Sequence, residues 1–447
     1  MEAMQKAYEA RISALEGELK GVKAQQAKQA HVAQTQNSVD RLMGQATTIT
    51  FADPAAPATG GDLKAPPPDL KGQFVRTTSN LSIGGYTEFS YDDRGETNSQ
   101  FNQRRTTLIF NAQVHDRVRF YAEYEWENAG VLEAGADDGD GEWELEQAYV
   151  DFLFNDKINF RAGQILAPLG RYNLYHEGYA NNFVDRPLPD LFVIPTTIYE
   201  EGVGLYGQAL DSDKLGISYE AYVFNPARAN EANPEVGFRE IRNEGNAPIY
   251  DRQKAFSGRV AFEPARSAKW FADSLEIGVS TYISGYPGFK DFTTGVKHSN
   301  GTLRISAVDF AYEKCGWGLK AEGSIAHAGY GRDEDNRKQD AAGFWVEGSY
   351  KFWPKFLTKS SFGRDFKDPK LILAARFEYL DVDKDVFDQR DMRRTSFELA
   401  YKPTDRVAVK FDYQMDHSLS SAPGFGLEGL GKGKNTDAFI FGLSVGF

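Results

Sequence analysis

The sequence predicts an all-β protein, a 16-stranded antiparallel transmembrane β-barrel behind an N-terminal α-helical coiled coil. Short segments alternating a large apolar side chain with a small or polar one recur from Leu81 onward, the period-two mark of a strand with two unlike faces. The chain holds 22 Tyr, 32 Phe and 43 Gly, yet no apolar run reaches the ~18–20 residues of a membrane-spanning helix. Its last segment, Asp437-Ala438-Phe439-Ile440-Phe441-Gly442-Leu443-Ser444-Val445-Gly446-Phe447, alternates to the terminal aromatic. A mean hydropathy of −0.51 suits a barrel whose strands turn one face to lipid and the other to water.

The first module is helical. Tyr8, Ile12, Leu15, Leu19 and Val22 fall at alternating four- and three-residue steps, the seam of a coiled coil. Arg11 with Glu16, and Glu18 with Lys23, have the five-residue spacing that pairs opposite charges between parallel helices. After Val22 the seam turns polar at Gln26 and Gln29, so the two good heptads form a marginal helix by themselves. Residues 1–36 are assigned to this coil and 37–80 to a linker. The linker is richest in Pro, Ala and Gly from Phe51 to Phe74, where Pro66-Pro67-Pro68 favours a semi-extended path. Met1 leads straight into Glu2 and Lys6, so the expectation is a mature form whose secretory leader has been replaced by an initiator Met.

Residues 81–447 are assigned to the barrel. The strands read as 81–91, 105–115, 117–128, 142–154, 157–166, 201–209, 214–225, 252–263, 274–284, 302–313, 316–328, 341–352, 370–381, 393–402, 405–416 and 436–447. An even number returns both chain ends to one side of the membrane. Short links such as Asp116 and Asn155-Asp156 take turns with long polar ones such as 92–104 and 226–251, as periplasmic turns do with extracellular loops. The link Trp353 to Pro369 breaks this rule: either it is an elaborated turn or the count slips by a pair.

Parity sorts the faces. Ile158, Phe160 and Ala162 oppose Asn159, Arg161 and Gly163, while Val407, Val409, Phe411 and Tyr413 oppose Ala408, Lys410, Asp412 and Gln414. Charges thus converge on one face, and because a lipid-facing Arg costs ~2–4 kcal/mol at midplane, that face is the lumen. The link Leu166 to Glu200, LAPLGRYNLYHEGYANNFVDRPLPDLFVIPTTIYE, is too rich in Leu, Phe, Tyr and Pro for a disordered loop. It is expected to fold inward as loop 166–200 and narrow the pore. Arg171, His176, Asn181, Asn182 and Arg186 are its candidate solute donors, with Glu177, Asp185 and Asp190 as counter-charges. The competing reading is that these residues staple the loop to the wall.

The stretch NFRAGQILAPLGRYNLYHEGYANNFVDRP, preceded by EQAYVDFLFNDKI and followed by EEGVGLYG, resembles the phosphate-selective porin O and P family of Gram-negative outer membranes, including dicarboxylate-type relatives with an N-terminal coiled coil. The likeness runs roughly from Leu81 to Phe447. It implies a homotrimer of 16-stranded pores in the outer membrane, with the third extracellular loop folded into each lumen and the coil in the periplasm. It implies lipid and lipopolysaccharide as surroundings, and anion selectivity from wall and loop cations. Mapped by parity, these are Arg105, Arg119, Arg161, Arg259, Lys320, Arg376, Arg394 and Lys410. The terminal Phe447 matches the assembly signal that such barrels present to their insertion machinery.

The same parity places Glu123, Glu125, Asp151, Glu220, Glu276, Asp309, Glu322, Glu347, Glu378, Glu398 and Asp412 inside, so the wall is mixed rather than basic. The favoured function is a passive channel for small hydrophilic solutes, weakly anion-selective for phosphate or small organic anions. The alternative is a general or cation-leaning pore whose coil tethers the outer membrane to peptidoglycan or a periplasmic partner. An enzyme ranks last. His31, His115, His176, His298, His327 and His417 are scattered, and no Gly-x-Ser-x-Gly or His-Glu-x-x-His motif occurs. A net charge of −13 argues against nucleic acid. The lone Cys315 forms no internal disulfide and no Cys-x-x-Cys-His motif holds haem, so neither a cofactor nor a metal is expected.

Overall fold

The structure is a computed structural model that describes residues 75–76, 80–95, 99–128, 143–227, 238, 253–264, 266–286, 301–329, 338–382, 384, 391–418 and 435–447. The coiled-coil seam Tyr8, Ile12, Leu15, Leu19 and Val22, and the linker before Val75, lie outside the described residues.

The strands in chain order are β1 (Val75–Arg76), β2 (Leu81–Asp93), β3 (Gln100–His115), β4 (Val118–Glu127), β5 (Trp143–Leu153), β6 (Asn159–Leu166), β7 (Tyr199–Asp211), β8 (Leu215–Phe224) and β9 (Ala255–Pro264). They continue as β10 (Ser274–Tyr286), β11 (Gly301–Lys314), β12 (Trp317–Gly329), β13 (Lys338–Phe352), β14 (Lys370–Asp381), β15 (Met392–Thr404), β16 (Val407–Ser418) and β17 (Asn435–Gly446). From β2 to β17 each strand pairs antiparallel with the next, and β17 pairs back onto β2, closing a 16-stranded ring. Closure removes the unpaired sheet edges that hydrocarbon does not tolerate.

At the seam, β17 covers Tyr86–Asp93 of β2, while β1 covers Ile83 and Ser82 just beyond the end of β17. Phe447 and Gly85 exchange backbone hydrogen bonds of 2.9 and 3.2 Å between those two pairings. Each strand expected from the alternation has its counterpart. The link 353–369 is an elaborated turn, opened by a short 3-10 turn at Lys355–Leu357 and held where the Tyr401 hydroxyl donates 2.5 Å to the Phe362 carbonyl.

Burial alternates along the strands. Along β16, Phe411 is exposed while Lys410 and Asp412 are buried; along β14, Leu373 and Phe377 are exposed while Arg376 and Glu378 are buried. The outward set makes the apolar band that faces lipid. A groove of about 740 Å³ on that outer wall is lined by outward side chains such as Val260, Val279, Thr281 and Val308, and lies on the opposite face of the sheet from the loop contacts described below.

The core lies inside the barrel. Leu169, Leu188, Phe192, Val193, Ile194 and Ile198, all from the link between β6 and β7, are buried in one cluster with Tyr282, Leu303, Ile305, Ala326, Ala341, Leu380 and Met392 of the wall. The link therefore runs through the lumen. It carries one helical turn, α1 (Pro189–Phe192), which a proline opens without losing a needed N–H. Phe238, from the link between β8 and β9, is fully buried on it, its N–H donating 2.8 Å to the Phe192 carbonyl.

Candidate functional site

Charged side chains on the wall fasten the inward loop, acids to its N–H groups and bases to its carbonyls. Glu88 on β2 accepts from the Gly178 N–H at 2.5 Å, Asp412 on β16 from Val184 at 2.7 Å, and Glu378 on β14 from Leu188 at 2.6 Å. Glu322 on β12 accepts from Arg171 and Tyr172 at 2.6 and 3.1 Å. In return Arg105 donates to the His176 carbonyl at 3.0 Å, Arg376 to that of Asp185 at 3.0 Å, Lys402 to that of Tyr179 at 2.6 Å, and Lys410 to those of Gly178 and Phe183 at 2.7 and 3.1 Å. These contacts meet the need of a loop carried into a barrel for partners for its backbone. Gly178 fits because a Cβ there would stand 2.3 Å from the Glu88 carboxylate.

The wall cations are also paired with acids. Asp151 on β5 sits between Arg119 on β4 and Arg161 on β6 in one cross-strand row. It accepts from Arg119 Nε at 3.1 Å and from Arg161 Nε at 2.7 Å, and the Arg161 guanidinium lies 3.8 Å over the Tyr149 ring. Arg105 meets Glu88 at 3.0 Å, Arg259 meets Asp309 at 2.7 Å, Arg376 meets Glu378 at 2.7 Å and Arg394 meets Asp416 at 2.6 Å. Lys320 stands opposite Glu347 in the β12–β13 ladder.

The loop donors divide. His176 is fully buried against the wall, with Nε2 3.2 Å from Glu146 Oε1, so it does not face solute. Asn181 donates to the Tyr175 carbonyl at 2.8 Å and Asn182 to Glu347 at 2.7 Å. Arg171 keeps 22% of its side chain exposed while meeting Glu276 at 2.7 Å. Arg186 keeps 15% exposed, donating 2.7 Å to the Thr196 carbonyl with Glu127 at 3.9 Å. Glu177 is buried. Asp190 accepts from the Trp345 indole at 2.6 Å; burial first, and the neighbouring Glu322 carboxyl second, push its carboxyl well above the ordinary range. Asp185 joins Arg94 at 2.9 Å and Arg104 at 2.7 Å, with Arg394 at 3.9 Å. Burial alone would raise its carboxyl, but these guanidiniums hold it well below the usual range.

The alternation and the loop composition do not single out Arg94, Arg104, Glu146 or Trp345. Arg104 and Glu146 are the extra residues of two β-bulges, between Glu88/Phe89 of the β2–β3 pair and Glu123/Tyr124 of the β4–β5 pair. A bulge turns an additional side chain to one face, so alternation alone assigns both wrongly. Glu146 is thereby buried beside Glu125 and His176, and ligand atoms of these three residues lie within 4.8 Å of one another.

Comparisons with known proteins agree with this architecture. The sequence profile of the family described as phosphate-selective porin O and P matches residues 75–418. An uncharacterized protein of Aquifex aeolicus is 30% identical over 258 residues, 57% of this chain, and the chain spans 54% of that curated relative. Among solved structures, an anion-selective porin from Comamonas acidovorans is 10% identical with a TM-score of 0.50, covering 82% of this chain and 99% of its own. The Salmonella typhi OmpF complex with daunomycin is 12% identical with a TM-score of 0.50, covering 82% and 98%. These two likenesses are of fold.

Proposed function

The chain belongs to the phosphate-selective porin O and P family, and from that premise, an outer-membrane porin channel, we propose a passive pore with a weak preference for small anions. What carries the reading is how charge is spent around the loop. The wall acids Glu88, Glu322, Glu378 and Asp412 are buried under loop N–H groups. Beside the loop, Arg94, Arg104, Arg171 and Arg186 keep 26, 22, 22 and 15% of their side chains exposed, against 26% for Glu127 and 23% for Glu276. Among these six side chains, water meets more guanidinium than carboxylate. Because the cations are themselves paired, they attract an anion without trapping it, as conduction requires.

Solute would pass the outer loops, exchange part of its hydration for these guanidiniums and leave down its gradient. Three identical pores in a homotrimer belong to the same proposal, as does a periplasmic role for residues 1–36 in assembly or tethering. The test is single-channel recording in a planar bilayer under a KCl gradient, with phosphate and succinate titrated against the chloride current. Anion-selective reversal, saturable block and three-step closure support the proposal. Reversal of the opposite sign without block overturns the selectivity and leaves the porin assignment standing.

A further inference from the structure

We propose that Glu125, Glu146 and His176 form a binding site for a divalent transition-metal ion that pins the inward loop to the barrel wall. The three residues come from separate elements: Glu125 from β4, Glu146 from the bulge of β5, and His176 from the loop. All three are buried, and their ligand atoms lie within 4.8 Å of one another.

The orientation of His176 is what a ligand requires. Its Nδ1 lies 3.1 Å from the Asn173 carbonyl, and a carbonyl only accepts, so Nδ1 carries the hydrogen. Nε2 then turns its lone pair toward the two carboxylates, in the arrangement by which an outer carbonyl fixes a metal-binding imidazole. The Glu125 carboxylate is held as well: Tyr86 and Thr107 donate to its Oε2 at 3.0 and 2.7 Å, and Arg105 lies 3.7 Å from its Oε1.

Charge favours a dication. Two buried carboxylates and an imidazole offer a dication acidic ligands, and Arg105 lies nearer Glu88, at 3.0 Å, than Glu125, at 3.7 Å. One nitrogen and two carboxylate oxygens suit zinc or a neighbouring first-row metal, with a fourth position for water. Zinc ligands at about 2.0–2.2 Å stand roughly 3.4 Å apart in a tetrahedron, so ligand atoms that lie within 4.8 Å of one another need to close by at most about 1.4 Å. The competing occupant is a proton, which would make His176 an imidazolium against Glu146.

The full chain, purified in detergent and stripped with a chelator, is titrated with zinc chloride. Bound metal is measured by elemental analysis and by competition with a chromophoric chelator, and folding is checked by heat-modifiable gel migration. The expected result is one zinc per chain, with affinity falling at least tenfold in His176→Gln and in Glu146→Gln while the barrel stays folded. If His176→Gln does not fold, Glu146→Gln and Glu125→Gln give the same comparison. Folded wild-type protein that takes up no zinc overturns the site and leaves the protonated pair as occupant. Equal zinc binding by wild type and variants overturns it too, placing the metal elsewhere. Neither readout depends on channel selectivity.

Discussion

Asp185 gathers Arg94, Arg104 and Arg394 around one loop carboxylate, so its removal leaves three guanidiniums with only Asp92 and Asp416 to offset their mutual repulsion. Asp185→Asn should destabilise the protein by about 2–3 kcal/mol, somewhat under the ~3–5 kcal/mol for breaking a fully buried pair, because Arg94 and Arg104 keep contact with water. The shift in the heat-modifiability midpoint measures it. The pH dependence has a definite sign. A carboxyl held below its unfolded value stabilises the fold above that value, ~3.9 for Asp, and loses the contribution as pH falls toward the folded one. Asp190, raised by burial and Glu322, has the opposite sign: its contribution is complete below ~3.9 and is lost as pH rises through the raised value. The loop should therefore be tightest between the two. Open-channel current noise recorded against pH should rise at both ends, and Asp185→Asn should remove only the acidic rise. The partners of neither residue are legible in the sequence. The sequence marks Asp185 as a counter-charge, but its partner Arg104 faces the lumen only because a bulge breaks the alternation, and a one-residue bulge leaves no trace in a period-two pattern.

The inward loop is held by two kinds of contact, apolar and polar. Leu169, Leu188, Phe192, Val193, Ile194 and Ile198 are buried among wall residues, at about 1.5–3 kcal/mol each if fully transferred from water. A hydrogen bond from a wall carboxylate to a loop N–H adds about 1.5–3 kcal/mol. With five loop N–H groups held by wall acids and five bonds to loop carbonyls from wall bases, the polar half is no weaker than the apolar one. Phe192→Ala should cost about 3–5 kcal/mol and enlarge single-channel conductance as the loop loosens. Gly178→Ala tests the polar half, since its Cβ would collide with the Glu88 carboxylate: local displacement should raise conductance with a smaller loss of stability. Equal conductance in both variants and the wild type would mean that the loop does not limit the current. The loop's inward course could be read from its apolar composition. Its docking patch could not, because Leu303, Ile305 and Ala307 on β11 carry the lumenal parity that elsewhere holds charge, and only the loop that covers them makes an apolar lumen face sensible.

For the whole molecule, the ring closes where the two ends of the sheet meet on β2. That the strands could be counted from the sequence follows from the bilayer itself: a wall between lipid and water forces unlike faces on each strand, whereas the register at the seam depends on contacts remote in sequence. There β17 stops at Tyr86, the Phe447–Gly85 pair carries the ladder one step further, and β1 takes over at Ile83. The last residue therefore bridges two pieces of sheet with both its N–H and its C=O. Deleting Phe447 removes two backbone hydrogen bonds, about 1–3 kcal/mol in all, from a barrel otherwise closed by eight register pairs of β17 with β2. Equilibrium stability in detergent should fall by only that much. If Phe447 is also the mark read by the insertion machinery, the deletion should reduce the amount of folded protein in the outer membrane far more than the lost hydrogen bonds explain. The comparison is between the melting midpoint of refolded protein and the folded fraction in isolated membranes. A small change in both confines Phe447 to the seam, while a small change in the first with a large one in the second gives it a part in assembly.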